Sequence, residues 1–397
     1  MSESAKKPNQ SPNSYSPHAP AIAHAMKNAA KNKMITTENG AYIDSVPSLG
    51  FAIPWRECTF SGCMTLILNA LGAKVTYERV MGLTGSCYRV SMVYGWDPGS
   101  NILHITTAHL GINSDENANR YFGIDAASID MDRTTNEDRV SMAKDSIDRG
   151  VPVLILGSRS PAEWGVLLGY EKTADGWQFF GRSYFDEMNY SYVPAANAAF
   201  TANQYVFACN FPYKERLRVG GKIFSEACSP TSALDALKAS LETCLSMFQP
   251  HEKIGYGAYD KMIRSFVSND FQTDWGGNDR TRDDGVASII RNLMDARRAA
   301  YLYLGESAGL LTGENKADLL TAASLYKEMF DTLQAVVPYE KLRHGGGQSE
   351  FQARDFDQSA MTEETRQEFA KALRRCRDCE VQAHGIVHKI LDNWETK

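Results

Sequence analysis

The sequence has 397 residues, with 42 Lys and Arg against 48 Asp and Glu, which gives a formal net charge of −6. Hydrophobic residues make up 43% and charged residues 23%, values typical of a globular protein that exclude a mainly disordered or fibrous chain. The mildly acidic balance argues against a nucleic-acid partner, and the longest apolar runs, at 151–157 and 166–170, are too short to cross a membrane. The length predicts two domains.

The cysteine content and the first residues predict a cytoplasmic protein. Eight cysteines in a chain of this size are too few for a disulfide scaffold, so we expect reduced thiols. Residues 1–33 are rich in Ser, Pro, Asn, Ala and Lys and contain no apolar signal segment, which predicts a solvated, disordered tail.

From residue 34 to 224 the pattern predicts two helices followed by a strand-rich block, an α+β arrangement. Apolar residues at helical spacing run from Cys63 to Leu71 and end at Gly72, and residues 77–83 predict a second short helix. A further helix is expected at 138–148, ending at Gly150. The predicted strands lie at 88–94, 102–108, 151–156, 164–170, 177–182 and 205–210.

From residue 225 to 397 the pattern is helical throughout. The third predicted helix of this region carries a stripe of apolar residues that includes Ile289, Leu293 and Ala300, and the stripe is typical of a core-facing surface. The predicted helices lie at 231–247, 254–267, 286–311, 316–336 and 362–394.

Cys58 is the strongest candidate for a chemical role, because it lies where a loop enters the first predicted helix. The exposed N–H groups and the dipole of a first helical turn stabilise a thiolate, and the Cys58 N–H is expected to help form an oxyanion hole. Glu57 acts against the thiolate. Cys63 falls in the apolar register of the helix and is expected to pack in the core. A structural role for Cys58 is the alternative interpretation.

The segment that contains Cys58 reads ECTFSGCMTLILNALGAKVTYERVMGLTG, that is, a cysteine, an apolar helix, a glycine and a second helix. It resembles the start of papain-like cysteine peptidases that process double-glycine leader peptides. The stretch LGAKVTYERVMGL is also similar to the amino-terminal domain of the butirosin-biosynthesis H-type acyltransferases, and IGYGAYDKMIRSF and RNLMDARRAAYLYLGESAGLL resemble the helical domain that follows it. The resemblance implies a papain-like α+β domain at 34–224 and an all-helical domain at 225–397.

The resemblance also extends to RGVPVLILGSRSPAEWGVLLGYEKTADGWQFFGRSYFD, which is similar to the strand pair that presents the general-base histidine of the family. Glu163 occupies that place here, six residues before Gly169. The resemblance therefore implies Cys58 as nucleophile and Glu163 as proton acceptor or substrate-orienting group. Glu163 can take the thiol proton only where burial raises its pKa within reach of the sulfur. His104 and His109 are the other bases of this domain, and ordinary surface or core histidines are the simpler interpretation of both.

Three residues are predicted to bind substrate. Trp164 and Tyr184 belong to the aromatic residues of the first domain, and aromatic side chains that line a cleft suit an organic substrate. Arg297 and Arg298 interrupt the apolar helix at 286–311, and a guanidinium directed into the cleft between the domains would hold a carboxylate or phosphate. We assign this role to Arg298.

The sequence predicts neither a metal ion nor a cofactor. Cys376, Cys379, His384 and His388 suggest zinc, but on one continuous helix the two histidines point about 80–120° away from Cys376. An amphipathic closing helix explains them better than four ligands of one metal do.

Together these features predict a thiol-dependent acyltransferase or amide-handling enzyme that acts on a small metabolite, in specialised-metabolite biosynthesis. An acyl carrier protein as donor is implied by the resemblance alone, and the oligomeric state is open. The alternative is a catalytically inactive papain-like binding protein, because the chain departs from the pattern of the family it resembles: Glu163 stands in place of the His, Ala52 in place of the Gln that often precedes the nucleophile, and Asp186 is only the nearest candidate for the orienting Asp. A cysteine peptidase is the third candidate.

Overall fold

The computed structural model describes residues 33–47, 49, 55–96, 114–130, 132–156, 164–174, 176–184, 201–203, 219–226, 230–272, 279–342 and 361–394. Residues 1–32 of the predicted tail and the predicted strands at 102–108 and 205–210 lie outside the described residues.

Strands and helices are mixed in the first part of the chain, up to Glu226, and the described elements that follow are all helical. The strands are β1 (Met34–Thr36), β2 (Gly40–Ile43), β3 (Ile124–Asp130), β4 (Val153–Leu156), β5 (Trp164–Thr173), β6 (Gly176–Ser183), β7 (Thr201–Asn203) and β8 (Val219–Glu226). The α-helices are α1 (Thr59–Ala70), α2 (Tyr77–Leu83), α3 (Ser114–Phe122), α4 (Asn136–Asp148), α5 (Ala233–Ser246), α6 (Tyr256–Ser268), α7 (Asp279–Ser307), α8 (Gly313–Val336), α9 (Tyr339–Leu342) and α10 (Glu363–Asp392), with a 3₁₀ turn at Ala308–Leu310.

The described strands form one antiparallel sheet in the order β1-β2-β5-β4-β8-β3. Strand β5 is its centre, because β6 pairs along one edge while β4 and β2 share the other. Strand β7 extends the sheet beyond β6. The register of β5 against β6 shifts between Leu167 and Gly169, where the strand has an irregularity.

Both faces of the sheet are covered, as the side chains of β4 show. Val153 and Ile155 pack with Ile147 of α4, whereas Leu154 and Leu156 join the cluster that contains α1. Successive side chains of a strand point to opposite faces, so a continuous apolar run such as β4 requires cover on both sides. Helix α1 is therefore held between the sheet and the helical region.

Helix α7 is the centre of the helical region. From Val286 to Ala300 every residue except Arg298 is buried, and the helix contacts α2, α8 and α9. One continuous hydrophobic cluster joins residues of α1 and α2 to residues of α5, α7, α8 and α10. The position 224/225, predicted as the domain boundary, falls inside β8, and the helical region begins with α5.

Most of the predicted elements are confirmed, and so is the α+β class with a helical carboxyl-terminal region; the papain-like assignment stays a prediction. The predicted helices correspond to α1, α2, α4–α8 and α10, and three predicted strands correspond to β4, β5 and β6. Sequence patterns missed β1, β2, α3, β3, β7, β8 and α9, which are short or rich in polar residues and glycine.

The predicted strand at 88–94 is wrong. In the described structure these residues form an isolated bridge between Ser91 and Ile254 rather than a ladder. Their backbone groups bond within a tight turn and to the segment before α6, for example from the Met92 N–H to the Lys253 carbonyl at 2.7 Å. Burial between two groups of helices gives the same apolar pattern as a strand.

None of the described helices combines the length and apolar character needed to cross a membrane.

Candidate active site around Cys58

Cys58 is the residue at which helix α1 begins. It has extended backbone angles (φ −81°, ψ 98°), and its side chain makes no capping hydrogen bond. The first-turn residues Thr59, Phe60 and Ser61 are all buried. The first N–H groups of a helix have no partner inside the helix and carry positive partial charge, so this buried, uncapped end creates positive potential beside the cysteine.

A guanidinium faces the Cys58 sulfur. The Arg89 Nη2 atom donates to Cys58 Sγ at 3.7 Å, and Arg89 is itself buried. Among the described residues, no other side chain hydrogen-bonds to this sulfur. The backbone of Arg89 is fixed from the helical region, because Arg297 Nη1 donates to the carbonyls of Cys87 at 2.9 Å and Arg89 at 3.4 Å. A guanidinium and a helix N-terminus are the kind of surroundings in which reactive cysteines occur.

The Cys58 N–H already has a partner inside the protein. It donates to the Tyr77 hydroxyl oxygen at 2.9 Å, and the Tyr77 hydroxyl donates in turn to Asp295 Oδ2 at 2.7 Å. The prediction that this N–H contributes to an oxyanion hole is therefore wrong for the arrangement seen here.

Glu57 is neutralised by a cation from helix α7. Arg291 Nε donates to Glu57 Oε2 at 2.7 Å, and the Tyr339 hydroxyl donates to Glu57 Oε1. The Glu57 N–H donates to Asp295 Oδ2 at 3.0 Å. Because Arg291 and Asp295 are four residues apart on one helix, they lie on the same face and meet the same segment of chain.

Asp295 is a buried carboxyl group near Cys58 that uses only one of its two oxygens. It is 1% exposed, and both of its hydrogen bonds fall on Oδ2, while Oδ1 has no partner among the described residues. Burial, followed by the neighbouring Glu57 carboxylate, raises the pKa of Asp295 to about 7. Burial, followed by Asp295, also raises the pKa of the Tyr77 hydroxyl. We call Glu57, Cys58, Tyr77, Arg89 and Asp295 the thiol cluster.

Tyr184 and Trp164 both lie against the first turn of α1, next to Cys58. The Tyr184 hydroxyl donates to the Cys58 carbonyl at 3.4 Å and occupies the space beside Gly62, where any Cβ would lie 1.7 Å from it. The Trp164 ring packs edge-on against Phe60, with centroids 5.5 Å apart. Each is 1% exposed, so both are buried walls of the site rather than groups that reach into open solvent.

Arg298 lies at the rim of the same region. Its Nη1 atom donates to Glu78 at 2.8 Å, and its guanidinium lies 5.5 Å from the ring centroid of Trp55. About a quarter of its side chain is exposed. Its helical neighbour Arg297 is fully buried and points to the other side of α7.

Several other predicted residues cannot be placed. Glu163, His104, His109, Ala52 and Asp186 lie outside the described residues. The structure therefore brings together Cys58, Trp164 and Tyr184, with Arg298 nearby.

Sequence reasoning missed Tyr77, Arg89 and Asp295. Asp295 lies inside the buried apolar stripe of α7. A carboxylate within such a stripe could have predicted a buried polar contact, because buried charges require partners. Arg89 had no comparable signal, because its segment was predicted to be a strand.

The zinc candidates lie in a different cluster. Cys376 Sγ donates to the Met329 carbonyl at 3.6 Å, and His384 Nδ1 lies 2.6 Å from the Tyr256 hydroxyl. No group of three or more metal-binding side chains occurs among the described residues.

These helices are held instead by an ion pair between Glu380 and Arg297, whose Nη2 donates to Glu380 Oε2 at 2.6 Å. The Tyr259 hydroxyl bonds the same oxygen at 3.0 Å, and the Tyr326 hydroxyl bonds Oε1 at 2.8 Å. His384 Nε2 lies 3.4 Å from Oε1. We call Tyr259, Arg297, Tyr326, Glu380 and His384 the Glu380 cluster.

No protein-family model matches the sequence, and no curated protein matches it.

Proposed function

We propose that this chain is a thiol-dependent enzyme that transfers an acyl group, or handles an amide, on a small metabolite, with Cys58 as the nucleophile. The observation that carries the proposal is the position of the sulfur at the buried, uncapped start of α1, 3.7 Å from the Arg89 guanidinium. Thiolates are the reactive form of cysteine, and a helix end together with a cation is the environment that favours them.

The chemistry needs a nucleophile, donors for a developing oxyanion and a proton acceptor. The thiolate of Cys58 attacks the carbonyl carbon of an acyl thioester, the bond to the donor sulfur breaks, and the donor leaves as a thiol after taking up a proton. The acyl group is then held on Cys58 until an amine or hydroxyl of the acceptor attacks it, loses a proton and releases the thiolate. A carrier-bound donor, a papain-like fold, a cytoplasmic location and a role for Glu163 belong to this proposal.

The surroundings of Cys58 suit a compact organic acyl group. Trp164 and Tyr184 pack against the first turn of α1 as buried aromatic side chains, and Arg298 at the rim offers a cation for a carboxylate or phosphate of the substrate.

The proposal is tested by incubating the full-length protein with short acyl thioesters of coenzyme A and of N-acetylcysteamine, followed by intact mass measurement. We expect a single acyl adduct on the wild type and none on Cys58→Ala. Cys63→Ala is the matched control, because Cys63 is a buried cysteine of the same helix, and it should still be acylated.

Two results would contradict the proposal. One is an adduct that persists in Cys58→Ala. The other is an unmodified wild type with every donor, under conditions in which a known acyl-accepting cysteine enzyme is labelled.

A binding protein without turnover is the second candidate, and the 2% exposure of Cys58 favours it. In that case a thioether analogue of an acyl-coenzyme A, which cannot transfer its acyl group, would bind saturably to both the wild type and Cys58→Ala. Turnover that depends on Cys58 would exclude this candidate.

A further inference from the structure

We propose that Ser61 is a further catalytic residue of the Cys58 site. Its hydroxyl donates to the carbonyl oxygen of the acyl group while the Cys58 sulfur attacks the carbonyl carbon. The ligand class is therefore a compact carbonyl compound whose oxygen lies at the first turn of α1. This inference rests on the proposed use of Cys58 as a nucleophile, and it identifies an oxyanion donor in place of the Cys58 N–H.

The first support is the position of Ser61 in helix α1. Cys58 is the N-cap residue of this helix, and Ser61 is its third helical residue. A side chain at the third position can reach back to the backbone of the N-cap residue, as the Glu or Gln of a capping box does. Because the Cα–Cβ bonds of a helix also tilt toward its N-terminus, the Ser61 side chain is directed toward the level of Cys58.

The second support is the state of the Ser61 hydroxyl. Ser61 is 0% exposed, and its Oγ atom has no hydrogen-bond partner among the described residues. The backbone groups of the N-cap residue are already used, since the Cys58 N–H donates to the Tyr77 hydroxyl at 2.9 Å. The Cys58 carbonyl accepts from the Gly62 N–H at 2.9 Å and from the Tyr184 hydroxyl at 3.4 Å. A buried hydroxyl without a partner is costly, and a ligand that brings an acceptor removes that cost.

The third support is the chemistry of the other groups around this turn. The Trp164 ring packs against Phe60, and its Nε1 atom is buried without a partner among the described residues. An indole nitrogen can only donate. The Arg89 guanidinium donates to the Cys58 sulfur at 3.7 Å, and the first turn contains no acidic residue. Groups of this kind favour a ligand that brings an acceptor, such as a carbonyl oxygen on which negative charge develops.

The step is the addition of the Cys58 sulfur to a carbonyl carbon. The bond between Sγ and carbon forms, the electron pair of the C=O double bond moves to the oxygen, and the Ser61 hydroxyl stabilises that oxygen by a hydrogen bond while it keeps its own proton. In an acyl thioester the oxyanion then collapses and the bond to the donor sulfur breaks. In an aldehyde no group leaves, so the oxygen takes up the thiol proton and a hemithioacetal remains. An aldehyde therefore probes the oxygen position without acyl transfer.

The test measures the binding of acetaldehyde and of butyraldehyde to the full-length protein. The hemithioacetal is followed by ¹³C NMR of aldehyde labelled at its carbonyl carbon. We expect an adduct on the wild type and none on Cys58→Ala. In Ser61→Ala the dissociation constant should rise about tenfold or more, because a positioned donor to a developing oxyanion contributes at least this much.

Ser146→Ala is the matched control. Ser146 is also a helical serine with 0% exposure, but its hydroxyl donates to the Val151 carbonyl at 2.9 Å, and α4 lies on the opposite face of the sheet from α1. This control should leave the aldehyde affinity unchanged and lower the midpoint of urea unfolding. Ser61→Ala should show the reverse pattern, a weaker adduct with an unfolding midpoint that is unchanged or higher, because the hydroxyl that it removes has no protein partner to lose.

Alkylation of Cys58 by iodoacetamide gives a second readout, because this reaction forms no oxyanion. Its rate should be the same in Ser61→Ala and in the wild type. An alkylation rate that falls as far as the aldehyde affinity would mean that the substitution disturbs the sulfur itself, and it would overturn the role of Ser61.

The aldehyde measurement also separates this inference from the proposed function. An adduct that is equally stable in Ser61→Ala, or the absence of any adduct on Cys58 of the wild type, would overturn the inference even if thioesters acylate Cys58. A wild type whose adduct depends on Ser61 but which no thioester acylates would reject acyl transfer and keep the oxygen site.

Discussion

Helix α7 carries two buried charged clusters on opposite sides, and the carboxyl groups of the two clusters differ in their hydrogen-bond partners. Asp295 belongs to the thiol cluster and Arg297 to the Glu380 cluster. The two residues are two positions apart, a rotation of about 200° on an α-helix. One side of the helix therefore faces the start of α1, while the other faces α6, α8 and α10.

The difference lies in how the carboxylate oxygens are used. Both oxygens of Glu380 accept hydrogen bonds, one of them from the Arg297 guanidinium. Burial is the largest influence on the Glu380 carboxyl and raises its pKa, but Arg297, His384 and Tyr326 together outweigh it, so the pKa lies below its usual value. Asp295 concentrates its bonds on one oxygen, has no directly paired cation among the described residues, and has a raised pKa.

In the Glu380 cluster, neighbouring groups also outweigh the effect of burial on the pKa of His384. Burial lowers the pKa of His384, but the Cys244 sulfur and then the Glu380 carboxylate raise it to about 11. The histidine is thus held in its charged form beside a carboxylate that uses both of its oxygens, although His384 Nε2 and Arg297 Nε have no hydrogen-bond partner among the described residues. The comparison shows that burial of a charge alone does not mark a reactive site; the distribution of its partners does.

Breaking the Glu380 cluster should have the largest effect on the molecule. Glu380→Gln keeps the size of the side chain but removes the charge that compensates Arg297, which is 0% exposed. A buried ion pair that loses one partner costs about 3–5 kcal/mol of stability. Urea unfolding at pH 7 should show a loss of this size.

Glu328→Gln provides the comparison for that measurement. Glu328 pairs with Arg375 between two helices of the same region, but both side chains are more than 40% exposed. Its loss should change the free energy of unfolding by about 1 kcal/mol or less. Equal effects of the two substitutions would mean that the Glu380 cluster is not a compensated buried charge network.

The part of the fold that follows from local pattern was predictable. Cys63, Leu66 and Ile67 recur at helical spacing, and the positive φ of Gly72 ends the segment as expected of glycine. The segment around Tyr88 was not predictable, because a segment buried against helices distant in sequence has the same apolar pattern as a strand.

The same limit applies to the site. The position of Cys58 at a helix start follows from local sequence, but its hydrogen-bond partners lie 19, 31 and 126 positions away in the chain. Asp295, which holds Tyr77, is a further 218 positions from that tyrosine. Such partners depend on how α7 is rotated against α1, and a single sequence shows only that Asp295 lies in a buried stripe.

Replacing the carboxylate on the other side of α7 should have a smaller effect, and one that depends on pH. Asp295 has a pKa near 7 in the folded protein and about 3.9 when unfolded, so the folded state binds the proton more tightly. Its contribution therefore destabilises the fold progressively as pH rises from about 4 to 7. Asp295→Asn removes this loss.

The expected result is a gain of Asp295→Asn over the wild type that grows between pH 5 and pH 8, by on the order of 2 kcal/mol. Urea unfolding at a series of pH values measures it. A difference between the two proteins that is constant over this range would show that Asp295 is already ionised at pH 5, as Glu380 is.

The smallest effect on stability is expected at the rim, where Arg298 pairs with Glu78 and both are about a quarter exposed. Arg298→Gln should change the free energy of unfolding by about 1 kcal/mol or less, because partly exposed ion pairs contribute little. Its effect on acyl transfer separates the two interpretations of this residue. If Arg298 holds an anionic group of the substrate, the KM for that substrate rises well beyond the change in stability, while the acylation of Cys58 by a neutral thioester stays the same. An unchanged KM would mean that Arg298 is only a structural partner of Glu78 and Trp55 and does not bind substrate.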